Sequence, residues 1–309
     1  MSGHVSVLLQ EAIDFLNIKK DGTYVDCTLG RAGHSSEILK RIPEGRLIAF
    51  DQDEEAIEAS RERLQEIGDN FLILKDNFAN LSANLDALGI QKVDGILYDL
   101  GVSSPQFDEP ERGFSYRADG PLDMRMDEEN PLTAYEVVNT YSEEKLARIL
   151  FEFGEEKDAR KIAKAIVQAR DISSIQTTFQ LVEIIKKAKP RKELLKKGHP
   201  AKQAFQAIRM EVNHEEEALQ KALEEAPFRL KSGGRMVLIS FMSLDDRLIK
   251  RRFHELCIQE GSREGYLRPE EIQEPDFLLL TKKPILPSEK ELQENRRAAS
   301  AKLRAIERR

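Results

Sequence analysis

The first hundred residues alternate between short apolar runs and segments with helical spacing of apolar positions. The predicted strands, rich in β-forming residues, are 23–29, 46–50, 71–74 and 93–99. The predicted helices between them are 34–41, 54–67 and 81–88. Repeated strand–helix units with short connections predict a parallel, doubly wound α/β sheet.

The pattern changes after this region. From about residue 132 to 189 only helical periodicity is present, and a basic, proline-broken linker at 189–200 leads to one long predicted helix from 201 to about 225. Strand signals return at 234–241 and 277–281, with a helix at 244–257 between them. We therefore predict one discontinuous α/β domain, 1–105 with 214–309, interrupted by an inserted loop and helical domain at 106–213.

Composition indicates a soluble protein with a mostly aliphatic core, since 40% of the 309 residues are hydrophobic and none is Trp. The amino terminus lacks the pattern of a signal peptide, and no apolar run approaches the roughly 20 residues of a membrane span. A cytoplasmic protein is expected. Cys27 and Cys257 are expected to be reduced core residues, and the five scattered histidines predict no metal site.

The net charge of −7 conceals two basic stretches. Residues 186–209 contain nine basic residues and one acid, and residues 290–309 contain seven basic residues and three acids. An acidic body with two basic stretches fits selective contact with a polyanion. A solvated helix face and a basic tail account for the same charges, so both interpretations stay open.

A glycine turn follows the first predicted strand. Gly30 and Gly33 lie in this turn, and Asp51 ends the second strand, where a carboxylate can bind ribose hydroxyls. The G-x-G-x-x-G fingerprint is absent because positions 32 and 35 are Ala and Ser, which disfavours a nicotinamide dinucleotide and an oxidoreductase. A nucleoside without a pyrophosphate, such as S-adenosylmethionine, needs only the turn and the acid. The glycines could equally serve only to close a tight turn.

Asp99 ends the fourth predicted strand and enters a loop that glycine and proline break repeatedly. The breaks are Pro105, Pro110, Gly113, Gly120 and Pro121. In open α/β sheets ligands bind at the carboxyl ends of strands, so Asp99 is a candidate catalytic residue. The alternative is that Asp99 only caps the loop that follows it.

The loop itself carries aromatic and basic residues whose roles stay open. Phe114 and Tyr116 either stack on an RNA base or fix the loop to the core. Three arginines either pair with acids of the same loop or meet phosphates; they are Arg112, Arg117 and Arg125. Polar residues of the later segment 199–213 are candidates to face a partner; they are Lys202, Gln203, Gln206 and Arg209.

Seven motifs together resemble those of the ribosomal small-subunit RNA cytosine-N4 methyltransferases, the RsmH (MraW) family, over a match from His4 to Arg308. They are Asp99-Leu-Gly-Val-Ser-Ser-Pro-Gln106, Arg112-Gly-Phe-Ser-Tyr116, Asp119-Gly-Pro-Leu-Asp-Met-Arg-Met-Asp127, His199-Pro-Ala, Phe205-Gln-Ala-Ile-Arg209, Gly233-Gly-Arg235 and Ser300-Ala-Lys-Leu-Arg304. The chain departs from the family pattern at Met242, at Lys202-Gln203-Ala204 and after Asn295, where the usual His, Thr-Arg-Thr and Pro are missing.

The resemblance implies a class I S-adenosylmethionine-dependent methyltransferase fold with an inserted helical domain. It implies metal-free N4-methylation of a cytosine in the decoding region of 16S rRNA, within the small ribosomal subunit and away from membranes, by a monomer or homodimer. By position, the cofactor contacts fall on Ala32, Gly33, His34, Asp51, Phe78, Asp99 and Gln106. Asp99 either accepts a hydrogen bond from cytosine N4 or holds the methionine end of the cofactor. The alternative function is a non-catalytic, S-adenosylmethionine-binding RNA or ribosome assembly factor.

Overall fold

The computed structural model describes residues 6–258 and 274–309, except for the side chains of residues 104, 105 and 296. The chain forms two compact units. Unit 1 comprises Met1–Gly101 with Glu217–Arg309, and unit 2 comprises Val102–Glu216.

Seven strands form the sheet of unit 1. They are β1 (Thr23–Asp26), β2 (Arg46–Asp51), β3 (Phe71–Lys75), β4 (Val93–Asp99), β5 (Leu230–Ser240), β6 (Phe277–Leu279) and β7 (Lys302–Arg308). Their order is β3-β2-β1-β4-β5-β7-β6. Strands β1 to β5 are parallel, whereas β7 runs antiparallel between β5 and β6. The predicted fold class, a doubly wound class I methyltransferase-type sheet with an inserted helical unit, is confirmed.

Fourteen α-helices are defined within the described residues. The first seven are α1 (Leu9–Leu16), α2 (Gly33–Arg41), α3 (Glu54–Gln65), α4 (Leu81–Ala87), α5 (Ser104–Asp108), α6 (Ala134–Thr140) and α7 (Glu143–Glu152). The others are α8 (Ala159–Arg170), α9 (Thr178–Ala188), α10 (Arg191–Leu194), α11 (Lys202–Val212), α12 (Glu215–Glu225), α13 (Ser243–Leu256) and α14 (Glu289–Glu294).

The sheet of unit 1 is buried on both faces, as parallel sheets require. Successive residues of β2 alternate between two apolar clusters: Leu47 packs with α1 and α2 residues on one face, and Ile48 packs with α4 and α13 residues on the other. Unit 2 has its own apolar core, built from α6 to α9 and α11 together with Phe114, Leu122 and Met124 of the long loop. Each unit thus has its own apolar core.

Several elements differ from the prediction, and the short helices α1, α5, α10 and α14 were not expected. The single helix expected from 201 to about 225 is two helices, α11 and α12, because the chain turns at Asn213 and His214, where φ of His214 is 50°. Strand β7 lies in a tail for which no strand was predicted. In the described residues no helix is long and apolar enough to cross a membrane.

Candidate active site

Three carboxylates end neighbouring parallel strands of unit 1. Asp26 ends β1, Asp51 ends β2 and Asp99 ends β4. Strands β1 and β4 are adjacent, and the strand order reverses between them. Such a switch point opens a crevice at the carboxyl ends of the strands, which is where α/β sheets bind ligands.

The turn after β1 is held by the acid of the next strand. Gly30 has φ of 50° and donates its N–H to Asp51 Oδ2 at 2.8 Å. Ala32, fully buried, has φ of 56° and precedes the first residue of α2. At Gly33 a Cβ would lie 1.8 Å from Ser6 Oγ. Contacts within unit 1 therefore explain why the turn is tight. The same turn places the start of α2 beside the crevice.

Asp51 is a half-buried carboxylate with spare hydrogen-bonding capacity. Its Oδ2 accepts from Gly30 and its Oδ1 accepts the N–H of Asp53 at 3.0 Å. Burial raises its pKa from 3.8 to about 6, although these backbone N–H groups lower it. Because a carboxylate offers about four lone-pair positions, Asp51 can still accept hydrogen bonds from the hydroxyls of a sugar.

Asp99 has one oxygen with which no residue in the described ranges pairs. His34 Nδ1 lies 3.6 Å from Asp99 Oδ2, whereas Asp99 Oδ1 and His34 Nε2 are buried and have no hydrogen-bond partner in the described part of the chain. Burial raises the pKa of Asp99 from 3.8 to about 6; the imidazole of His34 lowers it and the carboxylate of Asp26 raises it. A buried acceptor left unpaired costs about 1–3 kcal/mol, so these two atoms are suited to donors and acceptors of a ligand.

Two residues that were not among the candidates fix the ends of β1 and β4. Thr28 Oγ1 accepts the N–H of Asp99 at 2.7 Å. Asp26 Oδ1 accepts the N–H of Thr28 at 3.1 Å, and Asp26 Oδ2 accepts from the Ser35 hydroxyl at 2.6 Å. The signal for Asp26 was available, because it ends a strand as Asp51 and Asp99 do. Thr28 had no such signal.

The two remaining cofactor candidates differ in position. Phe78 lies in a 3-10 turn at Phe78–Asn80, and its ring meets Tyr98 edge-on at a centroid distance of 5.4 Å, so it lies next to the residue that precedes Asp99. Gln106 is a residue of unit 2, where it is buried and accepts the N–H of Ser103 at 3.0 Å. Unit 1 therefore brings the turn of Ala32, Gly33 and His34 to the strand ends where Asp51 and Asp99 lie, and Phe78 belongs to the same unit.

Within unit 2 the loop aromatics divide between core and surface. Phe114 is buried in the core of the unit, as the alternative interpretation expected. Tyr116 is half-buried and stacks on His199, with centroids 4.4 Å apart and ring planes 13° apart.

The three loop arginines have different environments. Arg125 pairs with Asp123 at 2.8 Å, and Arg112 donates to the carbonyl of Arg125 at 3.1 Å. Arg117 is exposed, with its guanidinium 5.8 Å from the Tyr116 ring. Two of the three therefore stabilise the loop, and Arg117 alone faces solvent.

Comparison with known proteins adds to this geometry. The sequence profile of the MraW methylase family matches residues 1–309. The chain is 53% identical to the ribosomal RNA small subunit methyltransferase H of Mesoplasma florum over 311 residues, covering 99% of both chains.

Solved structures resemble the chain only weakly. A candidate rRNA methylase of Clostridium thermocellum has a TM-score of 0.45 at 14% identity, with 99% of this chain and 100% of that chain covered. An rRNA methylase of Streptococcus thermophilus has a TM-score of 0.40 at 13% identity, with 99% of each chain covered. At these TM-scores the assignment rests on the sequence matches.

Proposed function

The chain belongs to the MraW methylase family, and on that premise we propose that it transfers a methyl group from S-adenosylmethionine to the N4 amine of a cytosine in the decoding region of 16S rRNA. The observation that carries the chemistry is the buried Oδ1 of Asp99 at the switch point of the sheet, which has no hydrogen-bond partner among the described residues. The relative from Mesoplasma florum, whose name states the small-subunit RNA, supports the substrate.

The residues at the strand ends fit this cofactor. Asp51 is half-buried and retains lone pairs for the ribose hydroxyls. The backbone at Ala32, Gly33 and His34 begins α2 beside the crevice. Phe78 offers an aromatic ring near the end of β4. Gln106, in unit 2, remains a proposed contact from the family resemblance.

When bound, S-adenosylmethionine supplies a methyl group on a positively charged sulfur, which needs no metal to react. The amine of cytosine is a poor nucleophile because its lone pair is delocalised into the ring. Asp99 Oδ1 can accept a hydrogen bond from the N4–H, localise that lone pair and receive the proton. With a pKa of about 6, Asp99 is mostly ionised at pH 7 and is a stronger base than an ordinary carboxylate.

Orientation contributes more than proton transfer. Holding the amine in line with the methyl group can supply up to about 7–11 kcal/mol of the barrier. A general base contributes about 10²–10⁴-fold, which corresponds to about 3–5 kcal/mol. Loss of the Asp99 carboxylate is therefore expected to make the enzyme slow and leave measurable activity. Two residues position this carboxylate. The Thr28 hydroxyl accepts the backbone N–H of Asp99, and the His34 ring lies beside the Asp99 side chain.

We assign the two parts of the chain different tasks. Unit 1 holds the cofactor candidates other than Gln106, and we propose that unit 2 recognises the RNA, with the small ribosomal subunit as the natural partner. Unit 2 carries the long loop with the family motifs and the first basic stretch, which supports this division.

The test is to incubate the protein with radiolabelled S-adenosylmethionine and small ribosomal subunits, digest the RNA and identify the labelled nucleoside. Label in N4-methylcytidine is the expected result. Cofactor binding without any label in the RNA would favour the non-catalytic assembly factor. Label in another nucleoside would refute the N4 assignment while leaving the methyltransferase intact.

A further inference from the structure

The basic residues of the stretch 186–209 fall into two groups. Four are engaged by acids: Lys186 with Glu183 at 2.8 Å, Lys189 with Glu156 at 2.6 Å, Lys196 with Glu193 at 2.8 Å, and Arg209 with Glu215 at 2.7 Å. Glu193, the single acid of the stretch, is among those partners. The other five basic residues are exposed and form no ion pair with any described residue; they are Lys187, Arg191, Lys192, Lys197 and Lys202.

These five residues occupy a continuous piece of chain. It runs from the last turn of α9 through α10 to the first residue of α11. His199 lies between Lys197 and Lys202 and stacks on Tyr116, whose neighbour Arg117 is also exposed and forms no ion pair within the described part. We call the five residues, Arg117 and the Tyr116–His199 ring pair the α10 surface.

Neighbouring residues of unit 2 hold the Tyr116–His199 ring pair in place. Phe205 meets Tyr116 edge-on at a centroid distance of 5.7 Å and is buried in the core of unit 2. His199 Nδ1 accepts the N–H of Ala201 at 3.2 Å, which sets its orientation. Burial lowers the pKa of His199, as do the charges of Lys186, Arg117 and Lys189, and both effects favour the neutral imidazole. A neutral, fixed aromatic ring within a positively charged surface is suited to a nucleobase, since base stacking does not require charge.

We propose that the α10 surface binds single-stranded RNA, with its six unpaired cations against phosphates and the Tyr116–His199 pair against a base. This inference rests on the proposed function for the identity of the polyanion. It goes further by separating the basic residues that are available to RNA from those already neutralised. Stacking combined with unpaired cations favours a nucleic acid over an acidic protein.

The first test removes three of the unpaired charges. The probe is a fluorescein-labelled, 20-nucleotide single-stranded RNA, and its affinity is measured by anisotropy between 0.05 and 0.3 M salt. For Lys192→Ala/Lys197→Ala/Lys202→Ala, the slope of log affinity against log salt should become shallower by about 2, since each contact with single-stranded RNA contributes about 0.7. Affinity at 0.1 M salt should fall about 100-fold by the same relation.

The control removes equal charge from the same unit. Lys157, Arg160 and Lys164 are exposed and form no ion pair with described residues, and the triple alanine variant at these positions should keep the wild-type slope. An unchanged slope in the first variant, or equal losses in both, would overturn the proposal. So would a variant that binds the RNA probe normally but no longer binds small ribosomal subunits, because the surface would then contact a protein.

The second test separates stacking from charge. His199→Ala should weaken binding of the probe by about 5- to 150-fold without changing the salt slope. An unchanged affinity would remove the ring pair from the interface. Cofactor binding by calorimetry and methyl transfer to subunits are measured alongside. If the wild-type protein transfers no methyl group but the charge variant loses RNA affinity, the proposed function fails and the RNA surface stands.

Discussion

Replacing Asp99 by Asn tests the site most directly, because it should change stability and activity in opposite directions. The folded protein holds the Asp99 pKa near 6 against an ordinary value of 3.8. Since the folded pKa is the higher one, the folded state binds more protons between about pH 4 and pH 6, and stability falls as pH rises through that window. At pH 7 the ionised carboxylate costs the folded state about 3 kcal/mol, and at pH 4.5 about 1 kcal/mol.

Asp99→Asn removes this cost because the amide does not ionise. The variant should therefore be more stable than the wild type by up to about 3 kcal/mol at pH 7 and by about 1 kcal/mol at pH 4.5. Urea unfolding followed by circular dichroism gives the comparison, since the chain has no Trp for fluorescence. A difference that does not depend on pH would refute the assigned electrostatic environment.

The same variant should be slow in methyl transfer. Single-turnover rates at saturating cofactor should fall about 10²–10⁴-fold if Asp99 accepts the N4 proton. The wild-type rate should also decline as pH falls through about 6, and the variant should lack this decline. If cofactor binding collapses while the single-turnover rate at saturation stays normal, Asp99 holds the cofactor and the catalytic role is wrong.

Asp51→Asn is the matched control for these experiments. Asp51 has the same raised pKa of about 6 and also ends a buried strand. Because we assign it to the ribose, its replacement should weaken cofactor binding and leave the decline of the rate below pH 6 in place. Loss of that decline in both variants would mean that it does not report on Asp99.

Two further predictions concern unit 2. Glu156→Gln should destabilise the protein by about 3–5 kcal/mol in urea unfolding, because it leaves the buried ammonium of Lys189 without its partner. The control is Glu183→Gln, which removes an exposed pair and should change stability little. Equal effects of the two substitutions would contradict the reasoning. Gly113→Ala should cost more than the roughly 1–2 kcal/mol of left-handed backbone alone, since φ is 70° and the new Cβ would lie 2.1 Å from the Pro121 carbonyl oxygen. Gly89→Ala, at φ of 69° with nothing within 4 Å of the new Cβ, isolates the backbone contribution and should cost less in the same assay.

Periodicity was sufficient to predict most of the sheet. The runs that form β1 to β4 are apolar and are separated by helical patterns, so local and global signals agree. Strand β7 was missed although it is buried on both faces of the sheet, with Leu303 and Ala305 in the apolar cluster of one face and Ile306 in that of the other. The basic residues between them drew attention to charge, and the pairing of β7 with β5 and β6 depends on residues far away in the chain.

The break between α11 and α12 had no local signal. Neither Gly nor Pro lies at 213–214, and apolar periodicity continues on both sides. The break is stabilised by tertiary contacts of Asn213, which accepts the N–H of Met126 at 2.7 Å and donates to the carbonyl of Met124 at 2.8 Å. These contacts hold the loop that carries a family motif, so the end of α11 and the loop conformation specify each other.

The carboxylates of the candidate site could be predicted from the sequence because they lie at the ends of predicted strands. Each of Asp26, Asp51 and Asp99 follows an apolar run, and parallel strands bring such ends to one edge. The 3.6 Å approach of His34 to Asp99, and the support of Asp99 by Thr28, join β1, α2 and β4. Neither contact can be inferred from sequence separation, because each depends on how two elements pack.

The sequence also does not show which basic residues are paired with acids in the fold, and this difference can be measured. In the tail, Lys302 and Arg304 both pair with Asp246 and Arg309 pairs with Glu274, so acids outside the tail engage three of its seven basic residues. In the stretch 186–209 five of nine basic residues pair with no acid that the structure describes. If all nine met phosphates, the salt slope on single-stranded RNA would approach about −6, whereas the five with Arg117 give about −4. The salt slope of the wild-type protein therefore distinguishes an interface that uses all nine basic residues of the stretch from one that uses only the unpaired five and Arg117.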